Sequence, residues 1–310
     1  MKKKTKVVVT GGAGFIGSHI VDACVAKGWE THVIDVRLPD KSDLSRQVRL
    51  VGEKKARFHK IDLRNLKKIK PVIKGAAYVF HVAALPRVQY SIDHPVETTE
   101  ANVIGTMNVL IAATEGKVKR VIYSASSSAY GDQPTLPLQE KMKENPKSPY
   151  ALQKFVGELY CKVWSKVFGL ETVSLRYFNV YGPRMTPKGS YPLAIAVFLD
   201  QKKRGKPMTI TGNGKQTRDF THVTDVVHAN MLAATSGKVG KGEVFNIGAG
   251  NNVSMNQIAN LIGGAKTYIP ARLEPKDTLA DNTLAKKILG WTPKVKIEKG
   301  IADLKKLWEV

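Results

Sequence analysis

The chain has 310 residues and carries 49 Lys and Arg against 26 Asp and Glu, a formal net charge of +23. At roughly 100–200 residues per domain, this length implies about two domains with an ample core, and 43% hydrophobic content excludes a disordered chain. Cys24 and Cys161 are the only cysteines, which excludes a disulfide framework and a four-cysteine zinc site and fits a reducing cytoplasm.

Lys2–Lys6 followed by three valines has the outline of a signal peptide, but Thr10-Gly11-Gly12 breaks the apolar run. No run of 18 apolar residues occurs, so a soluble, unprocessed chain without a membrane span is expected. Lys6–Thr10 is a short β-branched run suited to a buried parallel strand. Phe15–Lys27 has helical apolar spacing and stops at Gly28. Strands are predicted at Thr31–Asp35, Ala56–Ile61, Tyr78–Ala83 and Val118–Ser124, with a long helix over Val96–Glu115. Pro149–Phe168 reads as a helix and Glu171–Arg176 as a sixth strand. This alternation specifies a doubly wound parallel α/β sheet of the Rossmann kind with right-handed crossovers.

After Arg176 the rhythm changes. Tyr177–Ser190 and Lys202–Arg218 read as loops and short strands. Thr224–Ala234, Ser254–Leu261 and Thr283–Leu289 read as helices, with a strand at Glu243–Ile247. The chain is therefore expected to divide into a cofactor domain, 1–176, and a smaller mixed α/β substrate lobe, 177–310, with some segments of the second returning to the first.

The charge invites a nucleic-acid reading. Lysine outnumbers arginine 37 to 12, and no aromatic residues interleave the basic runs Lys54–Lys60, Lys67–Lys74, Gln201–Lys206 and Lys286–Lys306 at regular spacing. Scattered lysine suits a solvated surface better than base or phosphate recognition. A field that steers an anionic ligand is compatible with that surface.

The first strand runs directly into Gly11-Gly12-Ala13-Gly14-Phe15-Ile16-Gly17 and then into a helix. Glycines at every third position there permit a tight turn, close approach to a pyrophosphate and a helix N-terminus offering free N–H groups. Asp35, 18 residues past Gly17, can accept both ribose hydroxyls of NAD and would repel the 2′-phosphate of NADP. A strand-ending turn residue would read the same way, and Arg37 nearby could accommodate that phosphate. NAD is the favoured cofactor.

Tyr150 and Lys154 lie one turn apart at the start of the Pro149–Phe168 helix. An ammonium near the phenol, added to the charge of an oxidised nicotinamide, would lower its pKa and suit it to base catalysis. A surface pair that merely shares a face has the same spacing. The serine run Ser126-Ser127-Ser128, however, follows the fifth strand, whose carboxyl end faces a cofactor crevice in such a sheet.

GGAGFIG, SSSAYG, YALQK, LRYFNVYGP and TRDFTHVTD, in this order, resemble the extended short-chain dehydrogenases/reductases of the nucleotide-sugar epimerase/dehydratase branch. The resemblance covers essentially the whole chain and is nearest to UDP-GlcNAc/UDP-glucose 4-epimerases. It implies that Gly11, Gly14, Phe15, Ile16 and Gly17 hold the pyrophosphate and Asp35 the adenosine ribose. It places Asp62 and Leu63 beside the adenine, Ala83 and Ala84 under the cofactor, and Asn102 in the family's N-V-x-G-T stretch. Ser126, 24 residues before Tyr150, matches the catalytic Ser/Thr, with Tyr150 the base and Lys154 its partner. Ser127 and Ser128 are substrate-pocket candidates, Asn179 matches a substrate asparagine, and Arg218 and Arg272 match diphosphate-clamping arginines.

Branch members that eliminate water carry an acid–base pair where this chain has Ser127 and Ser128, and decarboxylases normally carry a glutamate in that segment. The resemblance therefore implies NAD-dependent 4-epimerisation of a UDP-sugar, without a metal. Thr278, three residues before Asp281, matches the position gating an N-acetyl group, and its small side chain leaves room for one. The stretch Val88–Pro95 is also similar to UDP-glucuronate 4-epimerases, although Tyr90 stands where some relatives carry arginine and Arg87 lies nearby. Arg272 precedes Leu273-Glu274-Pro275 in place of the usual x-Gly-Asp. Alternatives are a reductase that releases its cofactor and a silent NAD-binding protein associated with nucleic acid. The family pattern also implies a homodimer joined through the Val96–Glu115 and Pro149–Phe168 helices.

Overall fold

The computed structural model describes residues 4–37, 56–86, 88–187, 193–270 and 277–310. Its centre is a seven-stranded, all-parallel sheet. β1 (Lys6–Thr10), β2 (Glu30–Asp35), β3 (Ala56–Lys60), β4 (Tyr78–His81), β5 (Arg120–Ser126), β6 (Glu171–Tyr177) and β11 (Lys241–Ile247) lie in the order β11-β6-β5-β4-β1-β2-β3. The order reverses between β1 and β4, so the crevice at their carboxyl ends is the fold's binding position. β1, with Val7, Val8 and Val9 fully buried, is covered on both faces, as its β-branched run requires.

Helices α1 (Phe15–Ala26), α2 (Leu66–Ile73), α3 (Val88–Asp93), α4 (Pro95–Thr99), α5 (Gly105–Glu115) and α6 (Pro149–Phe168) belong to the first half. Ser148 caps α6 by accepting the Ala151 N–H at 3.2 Å, and Pro149 occupies its first turn. The single helix expected over Val96–Glu115 is instead α4, a π-helical turn at Glu100–Ile104, and α5 in succession. The wider turn re-aims side chains without ending the helix, and it contains Asn102. α2 and α3 were not anticipated; α2 is short and mostly Lys and Ile, with Asn65 capping it by accepting the Lys68 N–H.

In the second half β7 (Val180–Tyr181) precedes α7 (Ala194–Lys203), β8 (Met208–Thr211), β9 (Thr217–Arg218) and β10 (Thr221–His222). These are followed by α8 (Val223–Thr235), β12 (Val253–Ser254), α9 (Met255–Ile262), β13 (Lys266–Ile269), α10 (Thr283–Leu289) and α11 (Ile297–Trp308). α7 falls between the two expected loop regions, Tyr177–Ser190 and Lys202–Arg218, overlapping the second only at its last turn. The basic run Lys286–Lys306 is not wholly a solvated surface, because α11 turns Ile297, Ile301, Leu304 and Trp308 into a core with α7, α9 and β8.

The second half also returns to the sheet: β11 pairs with β6, and α8 packs on α1. Arg120, 3% exposed at the start of β5, makes this seam. Its guanidinium donates to Glu171 Oε2 and to the carbonyls of Ala233, Ala234, Ser236 and Val239 at 2.7–3.1 Å. A cation thereby closes the carboxyl end of α8. Among the described residues no helix is long and apolar enough to cross a membrane.

Candidate active site

The carboxyl ends of β1, β2, β4 and β5 converge on one crevice. Gly11 has φ +71°, and a Cβ there would lie 2.7 Å from the Ala83 backbone. A Cβ on Gly17 would lie 2.1 Å from the Gly11 carbonyl oxygen. Any larger residue would push the turn apart. α1 opens after Gly14 with no side-chain cap and no acidic residue in its first turn. Its leading N–H groups have no intrahelical acceptor and so attract an anion. Asp35 Oδ2 accepts the Ala13 N–H and Oδ1 the Arg37 N–H, each at 3.0 Å. Each oxygen keeps a second acceptor position for ribose hydroxyls. A bare glycine cradle closed by a carboxylate fits a dinucleotide.

A buried relay, missed in the sequence, stiffens the crevice from behind. Thr106 Oγ donates to the Asn102 carbonyl at 2.6 Å, leaving it to accept from His81 Nε2 at 2.9 Å. His81 Nδ1 then accepts from Thr10 Oγ at 2.7 Å, and Thr10 Oγ accepts the Ala83 N–H at 3.3 Å. Only the neutral Nε2–H tautomer satisfies every link. Burial, with a smaller contribution from Lys154, pushes the His81 pKa down to about 3. Asn102 fixes the following loop: its Oδ1 accepts the Leu85 N–H at 2.7 Å, and its Nδ2 donates to Leu85 O and Gln153 Oε1. The histidine of YVFHVAA was the available signal, but its partners are 71 and 25 residues away.

Asp62 and Leu63 follow β3. The Asp62 carboxylate takes the backbone, Nε and Nη2 groups of Arg64 at 2.7–3.0 Å, and these hydrogen bonds lower its pKa. Leu63 is buried, and its carbonyl accepts from Asn108 Nδ2.

Ser126 ends β5 and caps the short 3₁₀ turn Ser127–Tyr130. Its Oγ accepts the Ser128 N–H at 3.2 Å and the Ser128 hydroxyl at 2.8 Å. Both lone pairs are then used, so Ser126 can meet the Tyr150 phenol only as a donor, the sense in which it lowers the Tyr150 pKa. A donor to the phenolic oxygen favours the phenolate, yet burial dominates and pushes Tyr150 up to about 12. Lys154 is 4% exposed, and burial brings it down to about 7. Its ammonium lies 4.4 Å from the ring centroid of Tyr123, a cation–π contact. In this structure the one-turn spacing therefore does not lower the phenol; desolvation outweighs the Ser126 donor.

Asn179 lies two residues beyond Tyr177, which is opposite Ser126 in the sheet register. Its Nδ2 approaches Thr278 Oγ1 at 3.5 Å and the Asp219 carbonyl at 3.4 Å. Arg218 is 9% exposed and donates to the Thr217 carbonyl. Asn179, Arg218 and Thr278 thus gather around Asp219, a fully buried residue that sequence reasoning did not single out. Asp219 Oδ1 accepts the Ala249 N–H, and Oδ2 accepts those of Gly250 and Ala280, at 2.7–3.0 Å. Burial raises its pKa to about 6 against these amides. Arg272 lies outside the described residues.

The match to the NAD dependent epimerase/dehydratase family spans residues 7–248. A UDP-glucose 4-epimerase of Mycolicibacterium smegmatis is 34% identical over 96% of each chain. The solved UDP-N-acetylglucosamine 4-epimerase of Methanobrevibacter ruminantium, in complex with UDP-N-acetylmuramic acid, superposes with a TM-score of 0.91 at 33% identity, covering 99% of this chain and 98% of that one. The Thermus thermophilus UDP-glucose 4-epimerase, solved with NAD, gives 0.87 at 31% identity over 98% and 99%. With this likeness running the length of a sheet that carries the glycine cradle and ends its fifth strand in Ser126, the chain belongs to the NAD-dependent epimerase/dehydratase family.

Proposed function

We propose that the protein interconverts C4 epimers of a UDP-sugar through a 4-keto sugar, with UDP-GlcNAc/GalNAc and UDP-glucose/galactose the favoured pairs. The observation that carries this reading is Ser126, whose two lone pairs are filled by Ser128, leaving only its proton for Tyr150. When bound, NAD supplies a site that takes up the C4 hydride and gives it back. Gly11, Gly14, Phe15, Ile16 and Gly17 hold its pyrophosphate, and Asp35 its adenosine ribose. Asp62 and Leu63 border the adenine, Ala83 and Ala84 underlie the cofactor, and Asn102 fixes the loop beside it.

Tyr150, as phenolate, takes the 4-hydroxyl proton at its phenolic oxygen and returns it when the opposite face is presented. Ser126 stabilises the phenolate by donating to it, and Lys154 holds the nicotinamide ribose and, when protonated, favours the phenolate. Arg218 and Arg272 grip the diphosphate and Asn179 the substrate near it. Ser127, Ser128 and Thr278 border the sugar without an acid–base pair that would divert it to elimination. Residues 1–176 form the cofactor part and 177–310 the substrate part, with α8 and β11 returning to the sheet.

A second copy of the chain would cover the exposed apolar face formed by Leu152, Leu159 and Val163 of α6 with Ile92, Val96 and Ile104. UDP-glucuronate 4-epimerisation is the second reading, favoured by the Val88–Pro95 stretch.

Incubating the purified protein separately with UDP-GlcNAc, UDP-glucose and UDP-glucuronate, with products resolved by NMR, tests the reading. C4 epimers should form without net reduction of NAD. A Tyr150→Phe protein turning over at the wild-type rate would overturn it, and loss of CO2 from UDP-glucuronate would assign a decarboxylase instead.

A further inference from the structure

The loop after β7 reaches back over α1, the helix that follows the glycine cradle. Arg184 on this loop has φ +68°, a conformation non-glycine residues seldom adopt. Its side chain is 9% exposed, and its Nη2 donates to Asp22 Oδ2 at 2.5 Å. Nη1 donates to Ser18 Oγ at 3.1 Å, and Ser18 Oγ donates in turn to the Phe15 carbonyl at 2.9 Å. A second tie joins the same two segments. His19 Nε2 contacts the Pro183 carbonyl at 2.9 Å, and because a carbonyl only accepts, that nitrogen carries the proton.

The pairing is not the arrangement that stability alone would select. Arg184 Nε and Asp22 Oδ1 are buried without a hydrogen-bond partner among the described residues. A left-handed backbone and two orphaned polar atoms persist only where surrounding structure over-determines them, and such features concentrate at ligand clamps. Of the residues that Arg184 holds, Ser18 lies about one helical turn and Asp22 about two from the N–H groups that open α1.

We infer that Arg184 is a latch by which the substrate half of the chain fastens the first turn of α1 and so slows release of the dinucleotide. It acts through Ser18 and Phe15 as a positioning residue. A cation that drives the Ser18 hydroxyl onto the Phe15 carbonyl fixes the peptide planes whose N–H groups face the pyrophosphate. The same contact ties residues 182–187, after β7, to the cofactor side, so that displacing them loosens the first turn of α1. This rests on the reading of Gly11–Gly17 as the pyrophosphate cradle.

The test is the half-time of NAD release from holoenzyme, followed as bound dinucleotide after rapid desalting, in wild type, Arg184→Met, Arg184→Lys and Ser18→Ala. Release should be at least tenfold faster in Arg184→Met, intermediate in Arg184→Lys, and several-fold faster in Ser18→Ala. The melting temperature of each protein is measured alongside. Lowered melting temperatures with wild-type release in Arg184→Met and Ser18→Ala would overturn the latch and leave Arg184 a structural residue. If Arg184→Met does not fold, Ser18→Ala decides alone, since it removes only the hydroxyl that relays the contact. A wild type that retains no dinucleotide would overturn the cradle reading and the latch with it. A wild type that retains it no longer than the variants overturns the latch alone.

Discussion

Ser128 donates its hydroxyl to Ser126 at 2.8 Å, and together with the Ser128 N–H at 3.2 Å this leaves Ser126 only its proton to offer the Tyr150 phenol. Removing the donor frees a lone pair on Ser126, which can then turn and accept from the phenol, favouring its neutral form. In Ser128→Ala the acidic limb of the kcat/KM profile should shift to higher pH by about one unit, the size of one hydrogen bond to a charged group. A profile that falls uniformly without shifting would show Ser128 acting on substrate instead.

Burial holds Lys154 down to about 7 from its ordinary 10.5. Between those values the unfolded chain binds a proton that the folded chain has released. The contribution of this site to stability therefore rises with pH across the window and is flat below it. Lys154→Met lacks the titration. In urea melts of the cofactor-free proteins, wild type should gain stability relative to Lys154→Met between about pH 7 and about pH 9.5. A constant or shrinking gap would contradict the shift.

Asp219 accepts three backbone N–H groups from two loops and adjoins Arg218, Asn179 and Thr278. Asn at this position presents an NH2 group to at least one of those donors and strands it, at a cost of about 1–3 kcal/mol. The loops should loosen and the KM for the sugar nucleotide should rise about tenfold or more, the equivalent of about 1.4 kcal/mol or more, with bound NAD retained. Loss of NAD at unchanged KM would place Asp219 with the cofactor.

The α6 face with Leu152, Leu159 and Val163 carries three residues between 44% and 50% exposed at spacings of seven and four. If a second copy covers it, Val163→Glu buries a charge at the contact and should convert the dimer to monomer in sedimentation velocity. An unchanged sedimentation coefficient would send the partner surface elsewhere.

Local chemistry made the cofactor edge of the fold legible. A β-branched run followed by Gly11–Gly17, and Ser148-Pro149 opening a helix, each fix their own geometry within a few residues. Asp219, His81 and Arg184 were not legible, because their partners are 25 to 166 residues away and only the folded chain brings them together. The π turn at Glu100–Ile104 was invisible for a different reason: a widened turn leaves the helical apolar spacing almost intact. α11 was obscured by its lysines, whose long stems and charged heads mask the buried Ile297–Trp308 stripe on the other side of the helix.

Arg120 belongs to β5 by sequence and to residues 233–239 by bonding. A fragment ending at residue 176 would keep the glycine cradle and the Tyr150 helix, yet leave a guanidinium buried without its carbonyls and the flank of β6 bare. The dinucleotide half is therefore no transplantable module. Chimeras with relatives must carry the α8 and β11 seam together with β5, and during synthesis the cofactor crevice is complete only after the chain has passed residue 247.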